Sequence, residues 1–361
     1  MLFALMQIDA RQRLKEKLPT ILGKREFVFP TRISTEQASS EVTAELKKEL
    51  VESLENLGES RVSADLTGGL GVDSIFMAKG SKRHHYVELN PEHSKAAEVN
   101  LPLFLDNVVV HNMDAEKFLN ETNERFDFVY ADPSRRSESN SKVFRLEDCV
   151  PNILELKPLI MSKSRWLIVK LSPMLDITQA IEKMGAERVI AVSVNDECKE
   201  LIVVCGKEEK KDCRIEAIEI NRRGKWRENI EDSIENTGSL YGMPEAGMMI
   251  YEPYAAMMKI GHYEELAVKY GMKMVAPSSH LFFCKEECGF PGREFVIKEV
   301  CTFTKNSIKE IKKANITVRN FPMSVAEVRK RFRIEDGGEI YLFLTTDNNG
   351  EKLIIRCEKS R

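Results

Sequence analysis

The fold turns on the stretch VSADLTGGLGVDSIFMAKG, residues 62–80, where a run that reads as a buried strand breaks into three glycines and resumes as a helix. In an open parallel sheet, ligands bind at the carboxyl ends of the strands, where the first strand turns into its helix. Gly68, Gly69 and Gly71 let that turn pass close to a ligand with no side chain in the way. The helix starting near Val72 aims its free backbone N–H groups at the same place. The stretch therefore points to a nucleotide-like ligand. It lacks the spacing of a dinucleotide loop, because Val72 and Asp73 follow the third glycine, and no Gly-Lys-Ser/Thr follows as in a P-loop. Asp73 would also repel a pyrophosphate held at that helix end.

Around this stretch the chain alternates. From Val62 to Gly206, short apolar runs (RVSADL, HHYVELN, VVVHNMD, RFDFVYADP, RWLIVKLSP, RVIAVSV) are separated by helical patterns, which is the signature of a parallel sheet with helices on both faces. The end breaks the rule: RVIAVSVNDECKELIVVCG holds two β-rich runs joined by a short polar turn. A parallel crossover needs a dozen or more residues, so these two strands are antiparallel neighbours. Before the glycine strand, residues 1–56 read as helical, with SSEVTAELKKELVESLENLG opening on capping serines and stopping at Gly58. After Gly206, KEEKKDC reads as a solvated charge run, a linker or an exposed turn. An α+β pattern follows. RIEAIEINRRGKW reads as a strand, YEPYAAMMKIGHYEELAVKYG as an apolar-striped helix, SSHLFFCKE and REFVIKEVCTF as strands, and the tail as helix, strand, helix and a hairpin turning at Asn348–Gly350.

Each of the first four strands of the alternating block is followed by an acid. Asp65 ends the first, where a carboxylate suits a ligand with a cationic ammonium group, as S-adenosylmethionine has, and ill suits a phosphate. Glu88 after the second can accept both hydroxyls of a ribose, and Asp114 after the third, with Ala115 beside it, can accept from an adenine amino group. Asp132 and Pro133 follow the fourth. Any one of these acids is equally well read as a helix N-cap, but four in this order beside a triple-glycine loop are harder to dismiss.

These residues resemble the class I S-adenosylmethionine-dependent methyltransferases. Within them STEQASSEVTAEL, ADPSRR, VKLSPMLD, SVNDECKEL, EPYAAMMKIG, FPGREF and ANITVRNFPMSVAEVRKRFRIEDGGEIYLF resemble the bacterial THUMP-like-domain methyltransferase family. The resemblance implies an α/β protein with a Rossmann-like methyltransferase sheet whose last strand is antiparallel, followed by α+β ferredoxin-like and THUMP-like domains. It implies an N-terminal helical region over 1–57, a methyltransferase domain over 58–207, a ferredoxin-like domain over 208–304 and a THUMP-like domain over 305–361. Against the family's pattern, the expected start of this chain falls partway through the helical N-terminal region. The implied cofactor is S-adenosyl-L-methionine, contacted by Gln37, Ser39, Ser40, Asp65, Thr67, Gly68, Gly69, Gly71, Val72, Asp73, Glu88, Leu89, Asn90, Asp114, Ala115 and Asp132. Gln37, Ser39 and Ser40 stand where such enzymes place a helix start over the methionine carboxylate, although a plain N-cap serves equally as an explanation.

Methyltransferases that modify an exocyclic amine carry (D/N)PP(Y/F/W) after the fourth strand; the acid and a proline carbonyl orient the nitrogen and the aromatic residue stacks on the base. Here Asp132, Pro133, Ser134, Arg135 and Arg136 keep the first half of the motif and lack the aromatic. Arg135 can stack its guanidinium on a base or grip a phosphate or carboxylate, and both arginines can also simply pair with Glu138 or Glu147. Lys170, Ser172 and Pro173 follow the fifth strand, and Asn195, Glu197 and Lys199 lie in the turn between the last two; either group is placed to line the cleft or to serve structure alone.

The formal charge of the 361 residues is only −3, so a nucleic-acid surface must be local. Lys305 to Arg333 holds Lys312, Lys313, Arg319, Arg329 and Arg331 among nine basic residues against few acids, which fits either an RNA footprint or an ordinary solvated helical face. True THUMP domains accompany RNA-modifying enzymes, so the resemblance implies an RNA substrate, tRNA or rRNA, methylated at a base amino nitrogen. Two alternatives remain: a methyltransferase of a small anionic or protein substrate, and a non-catalytic RNA-binding protein that retains the cofactor pocket. The eight cysteines have no paired spacing and read as reduced, mostly buried thiols of a cytoplasmic protein. Cys284 and Cys288 with His280 nearby lack a second ligand pair, so no metal is expected. No stretch has the apolar length of a membrane span, and the start does not follow the order of a secretory signal.

Overall fold

The computed structural model describes residues 2–57, 60–135, 145–207, 212–230 and 239–360. The chain forms two compact units, Met1–Val192 with Lys199–Cys213, and Ser193–Cys198 with Arg214–Arg361.

The first unit is built on strands β1 (Val62–Asp65), β2 (Arg83–Val87), β3 (Val108–His111), β4 (Phe126–Ala131), β5 (Ser164–Leu171), β6 (Arg188–Val194) and β7 (Glu197–Gly206). They run in the order β3-β2-β1-β4-β5-β7-β6. The pairs β1–β2, β2–β3, β1–β4 and β4–β5 are parallel, and β7 is antiparallel to β5. The expected antiparallel end is present because Asn195 and Asp196 both take positive φ, the two-residue turn whose twist matches that of the flanking strands.

Nine helices of this unit bear on the argument: α1 (Leu2–Arg13), α2 (Pro19–Leu22), α3 (Arg32–Gln37), α4 (Glu41–Glu52), α5 (Val72–Met77), α6 (Pro91–Asn100), α7 (Ala115–Glu121), α8 (Ile153–Lys163) and α9 (Ile177–Met184). Helix α4 starts on the Ser40 cap as expected but ends at Ser53, short of Gly58. The Ser53 hydroxyl donates to the Leu50 carbonyl, and its own N–H already closes onto Glu49 and Leu50. The N-terminal helices share one core with the glycine turn: Leu14, Leu18, Ile21, Phe27 and Phe29 pack with Leu70, Val72, Ile75, Phe76, Tyr86 and Leu101. Asn100 clasps that contact by exchanging two 2.7 Å hydrogen bonds with the Val28 backbone.

The second unit corrects two readings. RIEAIEINRRGKW is not one strand but an antiparallel hairpin, β8 (Arg214–Asn221) with β9 (Gly224–Ile230), because the Asn221 carboxamide accepts from Arg223 N–H and Gly224 takes φ +126°. YEPYAAMMKIGHYEELAVKYG is not one helix: it begins as β10 (Met249–Pro253), continues as α10 (Ala255–Ile260), breaks where Gly261 and His262 take positive φ, and ends as α11 (Tyr263–Lys269). Strands β11 (Phe282–Cys284), β12 (Gly292–Thr302), β13 (Lys313–Val318), β14 (Glu335–Thr346) and β15 (Lys352–Lys359) join β10 and the short Lys273–Met274 strand in one sheet. The residues of β14 and β15 alternate between two cores. Phe343, Leu353 and Ile355 face Phe283, Phe295 and Ile297, while Leu342, Leu344 and Ile354 face Ile308, Val328 and Ile334. The β14–β15 turn is the expected one, with the Asp347 carboxylate accepting from Asn349 and Glu351 N–H. The expectation of mostly buried thiols is also corrected. All eight cysteines are free, and only Cys149, Cys205 and Cys357 are fully buried, because Cys213 and Cys288 lie outside the strands and Cys198, Cys284 and Cys301 near strand ends.

Two adjacent histidines on β2 make the first unit acid-sensitive. His84 is buried with Nδ1 2.9 Å from the Ser63 hydroxyl, and His85 stacks on His111. Burial, then the neighbouring histidine, holds His84 down to about 3 and His85 to about 4. The unfolded chain takes up these protons below its ordinary value near 6.5 while the folded protein does not. Stability is therefore complete above that pH and falls as pH drops toward 3, by about 1.4 kcal/mol per pH unit for His84. Urea unfolding at stepped pH is expected to give this slope, and His84→Gln to flatten it.

Candidate active site

The glycine turn is shaped from beneath. Tyr86, on β2 and fully buried, donates its hydroxyl to the Gly69 carbonyl at 2.7 Å, and a Cβ on Gly68 would lie 2.1 Å from Tyr86 Cζ. Only glycine fits there. Asp65 then pins the turn from within: its Oδ1 accepts from Thr67 N–H at 2.9 Å and its Oδ2 from the Ser74 hydroxyl at 2.6 Å. Burial lifts its pKa to about 7, against the pull of the Ser74 and Thr67 hydrogen bonds. The Thr67 hydroxyl accepts from Asp132 N–H at 2.6 Å and so ties the end of β1 to the end of β4.

A cleft of about 1150 Å³ opens at these strand ends. Most of the residues expected to hold the cofactor line it: Gln37, Ser39, Asp65, Thr67, Gly68, Gly69, Gly71, Val72, Asp73, Glu88, Leu89, Asn90, Asp114, Ala115 and Asp132. Ser40 does not; its hydroxyl caps α4 by accepting from Thr43 N–H. Glu88 accepts from Gly69 N–H and Asn90 N–H, each at 2.7 Å, through separate oxygens. Leu89 is 66% exposed, an apolar side chain held over a polar cleft. Asn90 caps α6 through Glu92 N–H. Asp114 caps α7 through Oδ1, which takes Glu116 and Lys117 N–H, while among the described residues nothing donates to Oδ2. The cap and ligand readings of this acid are thus compatible.

On the opposite side lie Asp132, Pro133, Ser134, Val150, Pro151, Lys170, Ser172 and Lys199. The backbones of Ser134 and Arg135 pair with Val150 and Cys149, which brings Val150 and Pro151 beside the motif. Arg136 falls outside the described residues. Ser172 accepts from Met174 N–H. Asn195 and Glu197 are not among the lining residues; their turn groups with the second unit.

Asp73 and Lys170 line the cleft and are also tied into a network of charges. Asp73 is buried, accepts from the Ser39 and Tyr130 hydroxyls at 2.7 Å each, and lies 3.2 Å from the ammonium of Lys47. Lys47, on α4, has no solvent exposure and reaches Glu200 on β7 at 2.7 Å. Burial pushes Asp73 up, but the Lys47 and then the Lys170 ammonium outweigh it and hold the carboxyl below its ordinary range. Its charge is therefore met from behind rather than presented to the cleft. Lys170 lies 2.6 Å from Asp132 Oδ2 and donates to the Ser39 hydroxyl.

Of the basic residues expected to meet a substrate in the second unit, Lys312 and Lys313 are exposed. Arg331 is exposed, with its guanidinium over Phe332. Arg319 is engaged by Glu252 at 2.6 Å, and Arg329 by Asp336 and the Ala314 carbonyl. Those two arginines brace the fold. Cys284 and Cys288 lie 3.8 Å apart while His280 stacks on Tyr263, and among the described residues no three potential ligands gather as a metal set. No helix among the described residues is long and apolar enough to cross a membrane.

The strand order of the first unit, with β7 inserted antiparallel, and a cleft at the carboxyl ends of β1, β2 and β4 define the class I methyltransferase fold. Residues 250–291 match a ferredoxin-like domain family and residues 292–359 a THUMP domain-like family. The chain is 30% identical to a candidate methyltransferase of Porphyromonas gingivalis W83, whose crystal structure it matches with a TM-score of 0.86 over 99% of this chain and 90% of that one. It belongs to that methyltransferase family, with ferredoxin-like and THUMP-like domains toward the C-terminus. A candidate RNA methyltransferase of Pyrococcus horikoshii is 19% identical, at TM-score 0.37 over 49% of this chain and 90% of that one. A SAM-dependent methyltransferase of Agrobacterium tumefaciens is 20% identical, at TM-score 0.35 over 50% of this chain and 64% of that one. Comparison with curated proteins finds no match.

Removing Lys47 tests the buried charges. Lys47→Met leaves Asp73 and Glu200 as buried carboxylates without their shared cation, and urea unfolding is expected to register a loss of about 3–5 kcal/mol. A neighbouring control, Lys48→Met, breaks only a partly exposed pair with Glu45 and is expected to cost under about 1 kcal/mol.

Proposed function

We propose that the protein is an S-adenosylmethionine-dependent methyltransferase acting on RNA at an amino nitrogen of a base. The observation that carries this reading is the acceptor set of the cleft: a glycine cradle edged by Glu88, Asp114 and Asp132, with Asp73 compensated from behind. That set suits a ribose, an adenine amino group and a cationic centre better than it suits phosphates. Glu88 holds the ribose hydroxyls on its remaining lone pairs, Asp114 Oδ2 accepts from adenine, and Leu89 covers the base. Gln37 and Ser39 stand over the carboxylate end. When bound, the cofactor supplies an electrophilic methyl group. Asp132 and the Pro133 carbonyl accept the two hydrogens of the substrate amine and turn its lone pair toward that methyl. Arg135 and Arg136 meet the substrate, and Val150 and Pro151 offer apolar surface where the related motif has an aromatic ring. The match to a THUMP domain-like family and the exposed Lys312, Lys313 and Arg331 support an RNA substrate.

Calorimetry with S-adenosylmethionine tests the cofactor. Wild type is expected to bind, and Glu88→Ala to lose about 10- to 100-fold in affinity, as for the loss of a hydrogen bond to a charged group. Undiminished binding by Glu88→Ala would remove it from the site. Incubation with methyl-labelled cofactor and total cellular RNA, followed by digestion to nucleosides, tests the substrate. Label is expected in a base-methylated nucleoside, with RNA affinity falling as salt rises. Label found only in protein or metabolites would defeat the RNA reading.

A further inference from the structure

Asp132 has two oxygens with different surroundings. Oδ2 lies 2.6 Å from the Lys170 ammonium, and among the described residues nothing donates to Oδ1. The Lys170 side chain is only 15% exposed, and its position is fixed from behind: it donates to the Ser39 hydroxyl at 3.1 Å and lies 4.0 Å from Asp73 Oδ2. Ser39 in turn donates to Asp73, and Asp73 is paired with Lys47. A chain of polar contacts thus runs from Asp132, whose side chain is 37% exposed at the cleft floor, through half-buried Ser39 and Lys170 to the buried Asp73, Lys47 and Glu200. A lysine so engaged has little freedom to reach out to a substrate. Its ammonium is in contact with Asp132 and Ser39, with Asp73 4.0 Å away.

We propose that Lys170 is a positioning residue that keeps Asp132 ionised and occupies one of its oxygens, leaving the other as the hydrogen-bond acceptor for the substrate. This deepens the methyltransferase reading and rests on it for its consequence, since a protonated Asp132 would present an O–H where an amine needs an acceptor. The need for such a cation follows from the neighbours. Asp65 from β1, Asp73 from α5, Tyr130 from β4 and Cys149 also act electrostatically on Asp132 or feel its charge, and among the ammonium groups of the described residues that bear on it Lys170 is in contact while Lys47 is engaged by Asp73 and Glu200. Burial raises the pKa of Asp132, and Lys170 opposes that rise. Lys170 is itself held charged: burial disfavours its ammonium, but Asp132 and Asp73 raise its pKa further than burial lowers it.

The test reads the carboxylate directly. In protein labelled with 13C at aspartate carboxyls, the Asp132 signal is assigned by its loss in Asp132→Asn and titrated in wild type, Lys170→Met and Lys170→Arg. The midpoint is expected to rise by about 1 to 3 pH units in Lys170→Met and to return toward wild type in Lys170→Arg. An unchanged midpoint in Lys170→Met would overturn the proposal. Should Lys170→Met fail to fold, the reciprocal measurement serves: the Lys170 Nζ resonance is expected to shift and exchange faster with water in Asp132→Asn, and an unaltered resonance would be equally decisive against it. Calorimetry with S-adenosylmethionine on the same samples separates the two readings. Absence of cofactor binding by wild type, with the titration as expected, defeats the proposed reaction and leaves the Lys170–Asp132 assignment standing.

Discussion

The site rests on an ammonium group with no access to water. Lys47 reaches from α4 into the gap between Asp73 at the start of α5 and Glu200 on β7, so one cation joins the N-terminal helices, the glycine turn and the antiparallel strand. Two carboxylates and a lysine do not enter such a place without mutual compensation, because each alone would cost several kcal/mol of lost hydration. The arrangement makes the N-terminal region part of the first unit's core rather than an appendage. It also supplies Gln37 and Ser39 to the wall of the cleft. From Asp73 the charges continue to Ser39, Lys170 and Asp132, so the floor of the cleft and the anchoring of its roof are one network.

The turn above that network is set by packing as much as by its own flexibility. Tyr86 fills the space beneath Gly68, and Asp65 fastens the turn to the first turn of α5 through Ser74. An acid at the end of β1 therefore has a structural task in the absence of any ligand. Asp114 likewise caps a helix with one oxygen and leaves the other open. The same side chain serves the fold and remains available to a ligand, which is why neither reading of a strand-end acid excludes the other.

Much of this was legible in the chain. The alternation of apolar runs and helical patterns gave the parallel sheet, and the shortness of Asn195–Asp196 required an antiparallel last pair, because both follow from local geometry. Gly68, Glu88, Asp114 and Asp132 stand out in the sequence because a ligand at the ends of parallel strands must be met by residues immediately after them, and all four line the cleft. Other features were hidden. Nothing local in ELKKEL says that Lys47 is buried against two acids while Lys48 makes a partly exposed pair with Glu45. Val150 and Pro151 come to the cleft through a pairing between Ser134–Arg135 and Cys149–Val150 that no periodicity announces. The break at Gly261 was missed because an apolar stripe runs across it, although a glycine in mid-helix was the available signal.

Local sequence determined the elements, their alternation and the residues at the strand ends, since strand and helix periods, turn lengths and glycine tolerance act over a few neighbouring residues. Tertiary structure alone decided which charges face the cleft and which face each other. Asp73 and Lys170 line the cleft, and it is the packing that brings Lys47, Ser39 and Asp132 against them. The pairing of buried charges depends on distances of about 3 Å between segments far apart in the chain, and those distances exist only once the helices have packed onto the sheet.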